Sequence, residues 1–85
     1  MVALNRAVAV AMAEGPAAGL ALVDALDTSG TLAGYYLLPA TQADLLRRLG
    51  RSDDAAAAYR RALELTAAGA EQDYLRRRLA EVTAG

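Results

Sequence analysis

Gly15 and Gly50 stand 35 residues apart, and each interrupts a run of good helix formers that resumes within a few residues. Ahead of Gly15, Ala3 to Ala13 carries good helix formers; after it, Pro16 suits the first position of a new helix, where its missing N–H has no internal partner to lose. Because glycine adopts the left-handed conformation that closes helices, "EGP" reads as the turn of a helical hairpin. The hairpin's second helix runs to about Asp27, and "DTSGTLAG", rich in turn residues and ended by Gly34, is the loop that follows. The same events recur around Gly50. A third helix covers roughly Tyr35 to Leu49, with Pro39 tolerable because it lies near the first turn. "RSDDA" then opens a fourth, with Ser52 or Asp53 as N-cap and acidic charge at the positive end of the helix dipole, and it runs to Thr66. After the break "AAGA", Ala70 to Val82 forms a fifth helix with Tyr74, Leu75, Leu79 and Val82 at near-helical spacing. No strand pattern competes, so the expected fold is all-α.

A period in the mid-thirties built of helix, tight turn and helix marks the tetratricopeptide class. The expected architecture is one domain over residues 1–85: repeat one at 1–27, repeat two at 35–66 and a capping helix at 70–82. Repeat two fits best. Ala43 and Ala55 are small where its helices approach, Leu46 and Tyr59 fill the space beside them, and Ala62 extends the packing face. In repeat one the corresponding residues are Val8 and Ala11, then Gly19, Val23 and Leu26, with a turn about one residue shorter. The proline that usually follows a repeat is absent, Ala67 standing near that position.

Composition narrows the function. With no Cys and no His the chain lacks the usual zinc ligands, a disulfide, a thiolate nucleophile and a histidine base. Its ten carboxylates sit at helix starts or within charged faces, where nothing raises a carboxyl pKa, and they form no catalytic pair with one another or with the four tyrosines. A protein without catalysis, metal or cofactor is expected. An 85-residue chain also buries only about 60–65% of its unfolded surface, so stability should be modest.

The net charge is −1, and all nine basic residues are arginine. "RRLGRSDDAAAAYRRALEL" superficially resembles a DNA-reading helix-turn-helix, but the first residues of its second helix would face the bases. Those residues are Ser52, Asp53 and Asp54, which argues against direct DNA contact; Arg60 and Arg61 come too late to compensate. The triplet Arg76 to Arg78 is the one candidate for a phosphate contact. Otherwise Asp44 with Arg47 and Arg48, and Asp73 with Arg76 and Arg77, read as solvated-face pairs worth about 0.2–0.5 kcal/mol each. Tyr59 and Tyr74 read as core residues, and of Tyr35 and Tyr36 one packs inward while the other faces a groove.

Between Val2 and Ala13 only Asn5 and Arg6 are polar, so the first helix expects cover on more than one side. Self-association through this helix, or an origin within a longer protein, would supply it. "AVAVAMA" after Arg6 is too alanine-rich for a secretory signal, and no apolar stretch approaches the ~20 residues of a membrane span. A soluble cytoplasmic chain is the default expectation.

"VALNRAVAVAMAEGPAAGLALVDAL", "LAGYYLLPATQADLLRRLGR" and "AAYRRALELT" together resemble the C-terminal extension of extracytoplasmic-function RNA polymerase sigma factors whose tail carries tetratricopeptide-like repeats. The resemblance spans nearly all of the chain. It implies a regulatory or assembly module that contacts sigma-factor domains, RNA polymerase or another regulator, with the promoter-binding regions lying upstream. The family's Asn-Arg pair is matched by Asn5 and Arg6; the family usually has His where this chain has Tyr36 and Pro39, and Arg where it has Gln42. Repeat geometry would put Asn5, Ala9 and Met12, and Ala40, Asp44 and Arg47, on the concave binding face, with Arg6 and Tyr36 beside them. Two alternatives belong to other classes: a stand-alone homodimeric adaptor, and a nucleic-acid-binding helical domain using Arg76 to Arg78.

Overall fold

Five helices account for most of the 2–30, 34–67 and 69–84 segments described by a computed structural model: α1 (Val2–Glu14), α2 (Pro16–Ser29), α3 (Leu37–Arg48), α4 (Ser52–Leu65) and α5 (Gly69–Ala84). Among the described residues there is no strand. The fold is all-α: α1 pairs with α2 and α3 with α4 as hairpins, α2 packs on α3 to stack them, and α5 lies against α4. Its radius of gyration, 12.0 Å, is that of one body of this length.

Both hairpin turns rest on glycine geometry that a side chain would strain. Gly15 has φ 104° and its N–H bonds to the Ala11 carbonyl at 3.0 Å. Gly50 has φ 76°; its N–H reaches the Arg47 carbonyl at 3.0 Å, and the Arg51 N–H reaches back to Leu46 at 2.9 Å. That double closure satisfies carbonyls which the end of α3 would otherwise leave open.

Several expected boundaries shift. α2 continues past Asp27 through Thr28 and Ser29, because the Ser29 hydroxyl donates to the Leu26 carbonyl at 2.7 Å and so joins the helix instead of a turn. Left-handed Gly30 stops it, and the part of the expected loop at 31–33 lies outside the described residues. α3 begins at Leu37, leaving Tyr35 and Tyr36 ahead of it, and Pro39 takes the third helical position, where no internal N–H bond is needed. α4 is preceded by Arg51, so neither Ser52 nor Asp53 is its N-cap. In place of a cap, the Arg51 guanidinium grips Asp54 Oδ2 at 2.7 Å and 3.0 Å. An extended Thr66 ends α4, and α5 starts at Gly69, reaching two residues beyond the expected Val82; position 68 of the expected break lies outside the described residues.

The core follows small residues. Ala43, Ala55, Ala58 and Ala62 are fully buried around Tyr59, the largest fully buried side chain. In the first hairpin the line of closest approach passes through Ala7, Ala11 and Gly19. A Cβ on Gly19 would overlap the Ala11 methyl and stand 2.8 Å from the Ala7 carbonyl oxygen. With the backbones so close, small Ala7 and Ala11 face α2 and Val8 is displaced to the side, 39% exposed, so Val8 is not the packing residue that repeat alignment suggests. Tyr74 is likewise not a core residue: it is exposed, and its neighbour Leu75 is buried instead.

Candidate functional site

Tyr36, Ala40 and Asp44 recur every four residues and therefore form one stripe along α3. Glu71 and Tyr74, three residues apart, share a face of α5, and the two stripes face each other across an open cleft of about 380 Å³. Ala40 is buried and supplies the apolar floor; Tyr36 and Asp44 are partly exposed. The sequence-predicted residues Tyr36, Ala40 and Asp44 are thus brought together, and Arg47, one turn further along, joins them through its partners.

Asp44 is the polar centre of this face. Its Oδ1 accepts the Tyr59 hydroxyl at 2.6 Å from α4, and the Tyr74 hydroxyl from α5 lies 3.3 Å from Oδ2. Arg47 Nε donates to the Tyr59 oxygen at 3.3 Å, and Arg47 Nη2 stands 3.9 Å from Asp44 Oδ1. Three helices therefore meet at one carboxylate. Burial, and then the bond to Asp44, push the Tyr59 phenol far above the ordinary tyrosine range, so it stays a donor. Tyr36 is also pushed up, by desolvation first, then by the negative charge of Glu71 and by the neighbouring Tyr35 phenol. The rings of Tyr35 and Tyr36 meet edge to face, 6.0 Å apart, and point to different pockets: Tyr36 to the α3–α5 cleft, Tyr35 to a small one beside Asp27 and Arg61.

The α1 candidates form a separate surface. Asn5, Arg6, Ala9 and Met12 are all exposed, Met12 by 77%. Among the described residues neither Asn5 nor Arg6 has a side-chain hydrogen-bond or ion-pair partner. Arg6 edges a largely apolar groove of about 480 Å³ shared with Leu22, Ala25 and Leu26 of α2.

Two features escape sequence reasoning. Gln42, only 5% exposed, donates to Asp24 and Asp27 of α2 at 3.0 Å and 3.3 Å and accepts from Arg61 of α4 at 3.2 Å, a polar junction between the hairpins. A glutamine amid Ala40, Ala43 and Leu46 was the only local signal for it. The other is the convergence of Glu71, Tyr59 and Tyr74 on the Asp44 stripe, which no spacing within a helix encodes. In the arginine triplet, Arg76 lies 3.9 Å from Asp73, and Arg78 bonds Glu81 at 2.9 Å with its guanidinium 5.5 Å above the Tyr74 ring. Among the described residues no helix is long and apolar enough to cross a membrane, and no group of three or more His, Cys, Asp or Glu could hold a metal ion.

No family model and no solved structure matches the chain. An uncharacterized protein of Rhizobium meliloti (strain 1021) is 40% identical to it over 84 residues, which is 99% of this chain and 19% of the relative. The chain thus spans about a fifth of the length of the relative it matches.

Proposed function

We propose that this chain is a non-catalytic protein–protein interaction module of tetratricopeptide-like type, serving a sigma factor in transcription initiation by contacting sigma-factor domains, RNA polymerase or a regulator in the cytoplasm. The observation that carries the reading is the resemblance of three long sequence segments, over nearly the whole chain, to the C-terminal extension of such sigma factors. The stacking of two hairpins is consistent with it, since stacked hairpins present the faces of their first helices as a recognition surface. Occurrence of the same segment within a much longer relative also fits a module that works joined to other regions. Two measurements test the reading. The four-fifths of the Rhizobium meliloti relative outside the matched segment should contain sigma promoter-binding regions, and their absence would refute the transcription context. Immobilised chain should retain RNA polymerase or the sigma domains from purified components, and retention of neither would refute the partner assignment.

A second reading, self-association as a homodimeric adaptor, is favoured by one observation: Met12 and Val8 lie exposed on α1. Light scattering after size exclusion decides it. A dimer that Met12→Glu dissociates supports the reading, and a strict monomer at high concentration contradicts it.

A further inference from the structure

The cleft between α3 and α5 has a chemistry that the module reading leaves unspecified. Its charged lining residues are both acids, Asp44 from α3 and Glu71 from α5, and two tyrosine rings, Tyr36 and Tyr74, share it with the apolar Ala40 and Leu75. The two carboxylates differ in what they already hold. Asp44 is occupied by two tyrosine hydroxyls and has Arg47 at 3.9 Å. Glu71, half-buried in the first turn of α5, has no cationic partner among the described residues, and its negative charge is felt across the cleft by the Tyr36 phenol. A carboxylate beside aromatic faces in an open cleft matches the needs of a guanidinium, which is planar, lies flat on rings and donates in a fork to carboxylate oxygens. The molecule already holds one guanidinium in this manner: Arg78 stands over the Tyr74 ring while bonding Glu81.

We infer that this cleft docks a basic segment of a partner protein, seating one of its arginine side chains between the Glu71 and Asp44 carboxylates with the Tyr36 ring along its plane. The inference rests on the interaction-module reading but not on its transcription context, and it specifies the partner's chemistry. Charge complementarity selects an arginine-bearing segment over an acidic or apolar one, since both lining carboxylates oppose the first and Glu71 keeps no cationic partner among the described residues with the second. The cleft is open to solvent, as an approaching peptide requires, and its volume is in the range that holds a few side chains.

The test is an NMR titration of the ¹⁵N-labelled 85-residue chain with the capped peptide acetyl-Gly-Arg-Arg-Gly-amide and its lysine, glutamine and glutamate counterparts. The arginine peptide should move amides in the 36–44 and 70–75 segments, and Glu71→Gln should weaken it about five-fold or more, the loss of one charge-assisted contact. Tyr36→Phe, which keeps the ring, should bind like the wild type, whereas Tyr36→Ala should bind less tightly. Glu64→Gln, an exposed acid on α4 away from the cleft, should leave affinity unchanged. Far-UV circular dichroism checks each variant, and Tyr36→Ala carries the test alone if Glu71→Gln loses helix. Equal affinity for the lysine or glutamine peptide would overturn the assignment to a guanidinium, as would wild-type affinity in both Glu71→Gln and Tyr36→Ala. Failure of every peptide to move the cleft amides overturns this inference while leaving the binding of RNA polymerase or sigma domains to its own test.

Discussion

Gly19→Ala sets two effects of opposite sign against each other, and the structure says which wins. Alanine is the better helix former by about 0.8–1.0 kcal/mol at an interior helical position, so a freely exposed site would gain stability. At position 19 the new methyl would overlap the Ala11 methyl and approach the Ala7 carbonyl oxygen to 2.8 Å. Neither obstacle can rotate away, because one is a Cβ fixed to its backbone and the other is backbone itself. α1 must therefore move off α2 by several tenths of an ångström, loosening contacts along the whole face made by Leu4, Ala7, Ala11, Leu20 and Val23. Overpacking of this kind costs about 1–3 kcal/mol, and immovable backbone places the site toward the upper end. Subtracting the propensity gain leaves a net loss of about 1–2 kcal/mol, which at about 4–8 °C per kcal/mol for a domain of this size lowers Tm by roughly 5–15 °C. Thermal unfolding followed by circular dichroism at 222 nm measures it. Gly69→Ala is the matched control: position 69 opens α5, no atom lies within 4 Å of the added methyl, and its stability should stay within about 0.5 kcal/mol of wild type. A Gly19→Ala protein as stable as the wild type would refute the close approach of α1 and α2.

Tyr59→Phe keeps the ring in its buried place and removes only the hydroxyl that Asp44 accepts and Arg47 donates to. A loss of about 1–2 kcal/mol in urea unfolding is expected, held below the full value for a charged partner because Asp44 is partly exposed and can rehydrate. Alkali should destabilise the protein through the same residue. Unfolded tyrosine releases its proton near pH 10 while folded Tyr59 holds on far above that, so above about pH 10 the unfolded state binds fewer protons and stability falls with pH, by at most about 1.4 kcal/mol per unit; below it the hydroxyl's stabilisation is fully present and independent of pH. Urea midpoints measured from pH 8 to 11 should show this slope flattened in Tyr59→Phe; an unchanged slope would contradict the assignment. At the hairpin junction, Gln42→Leu should cost no more than about 1 kcal/mol, since Asp24, Asp27 and Arg61 are exposed and water replaces the lost partners, whereas Gln42→Glu buries a carboxylate against two others, which the exposed Arg61 guanidinium at 3.2 Å offsets only in part, and should cost about 2 kcal/mol. The reverse order of urea midpoints would refute the burial of this side chain.

The parts of the fold legible in the sequence are those written by local chemistry. Gly15 and Gly50 announce both hairpin turns because few other residues adopt positive φ, and the Ala43, Ala55, Tyr59, Ala62 face of the second hairpin follows helical spacing into a real core. What misled were features decided between helices. Val8 looks like a better core residue than Ala7 until Gly19 is seen to bring the backbones together. Ser52 and Asp53 are good caps by type, yet Arg51 and Asp54 pair across the first turn and the cap hydrogen bond is not made. The site shows the same division. The α3 stripe of Tyr36, Ala40 and Asp44 is periodic and was readable. The residues that complete it come from 15 and 30 positions away, where Tyr59 and Tyr74 reach Asp44, and no local pattern points to them.

Serial packing, each helix chiefly against its neighbours in sequence, also governs how the molecule comes apart. In a nearest-neighbour array, stability is a sum of unit and interface contributions, and within this 85-residue chain α5 packs chiefly on α4 alone. Opening of α5 from α4 therefore needs less free energy than opening of the α3–α4 pair that encloses Tyr59, and amide hydrogen exchange should rank them accordingly. Since α5 supplies one wall of the α3–α5 cleft, any occupant of the cleft binds only the molecules whose α5 is docked. Its affinity and the slowing of exchange in α5 are then two readings of one equilibrium.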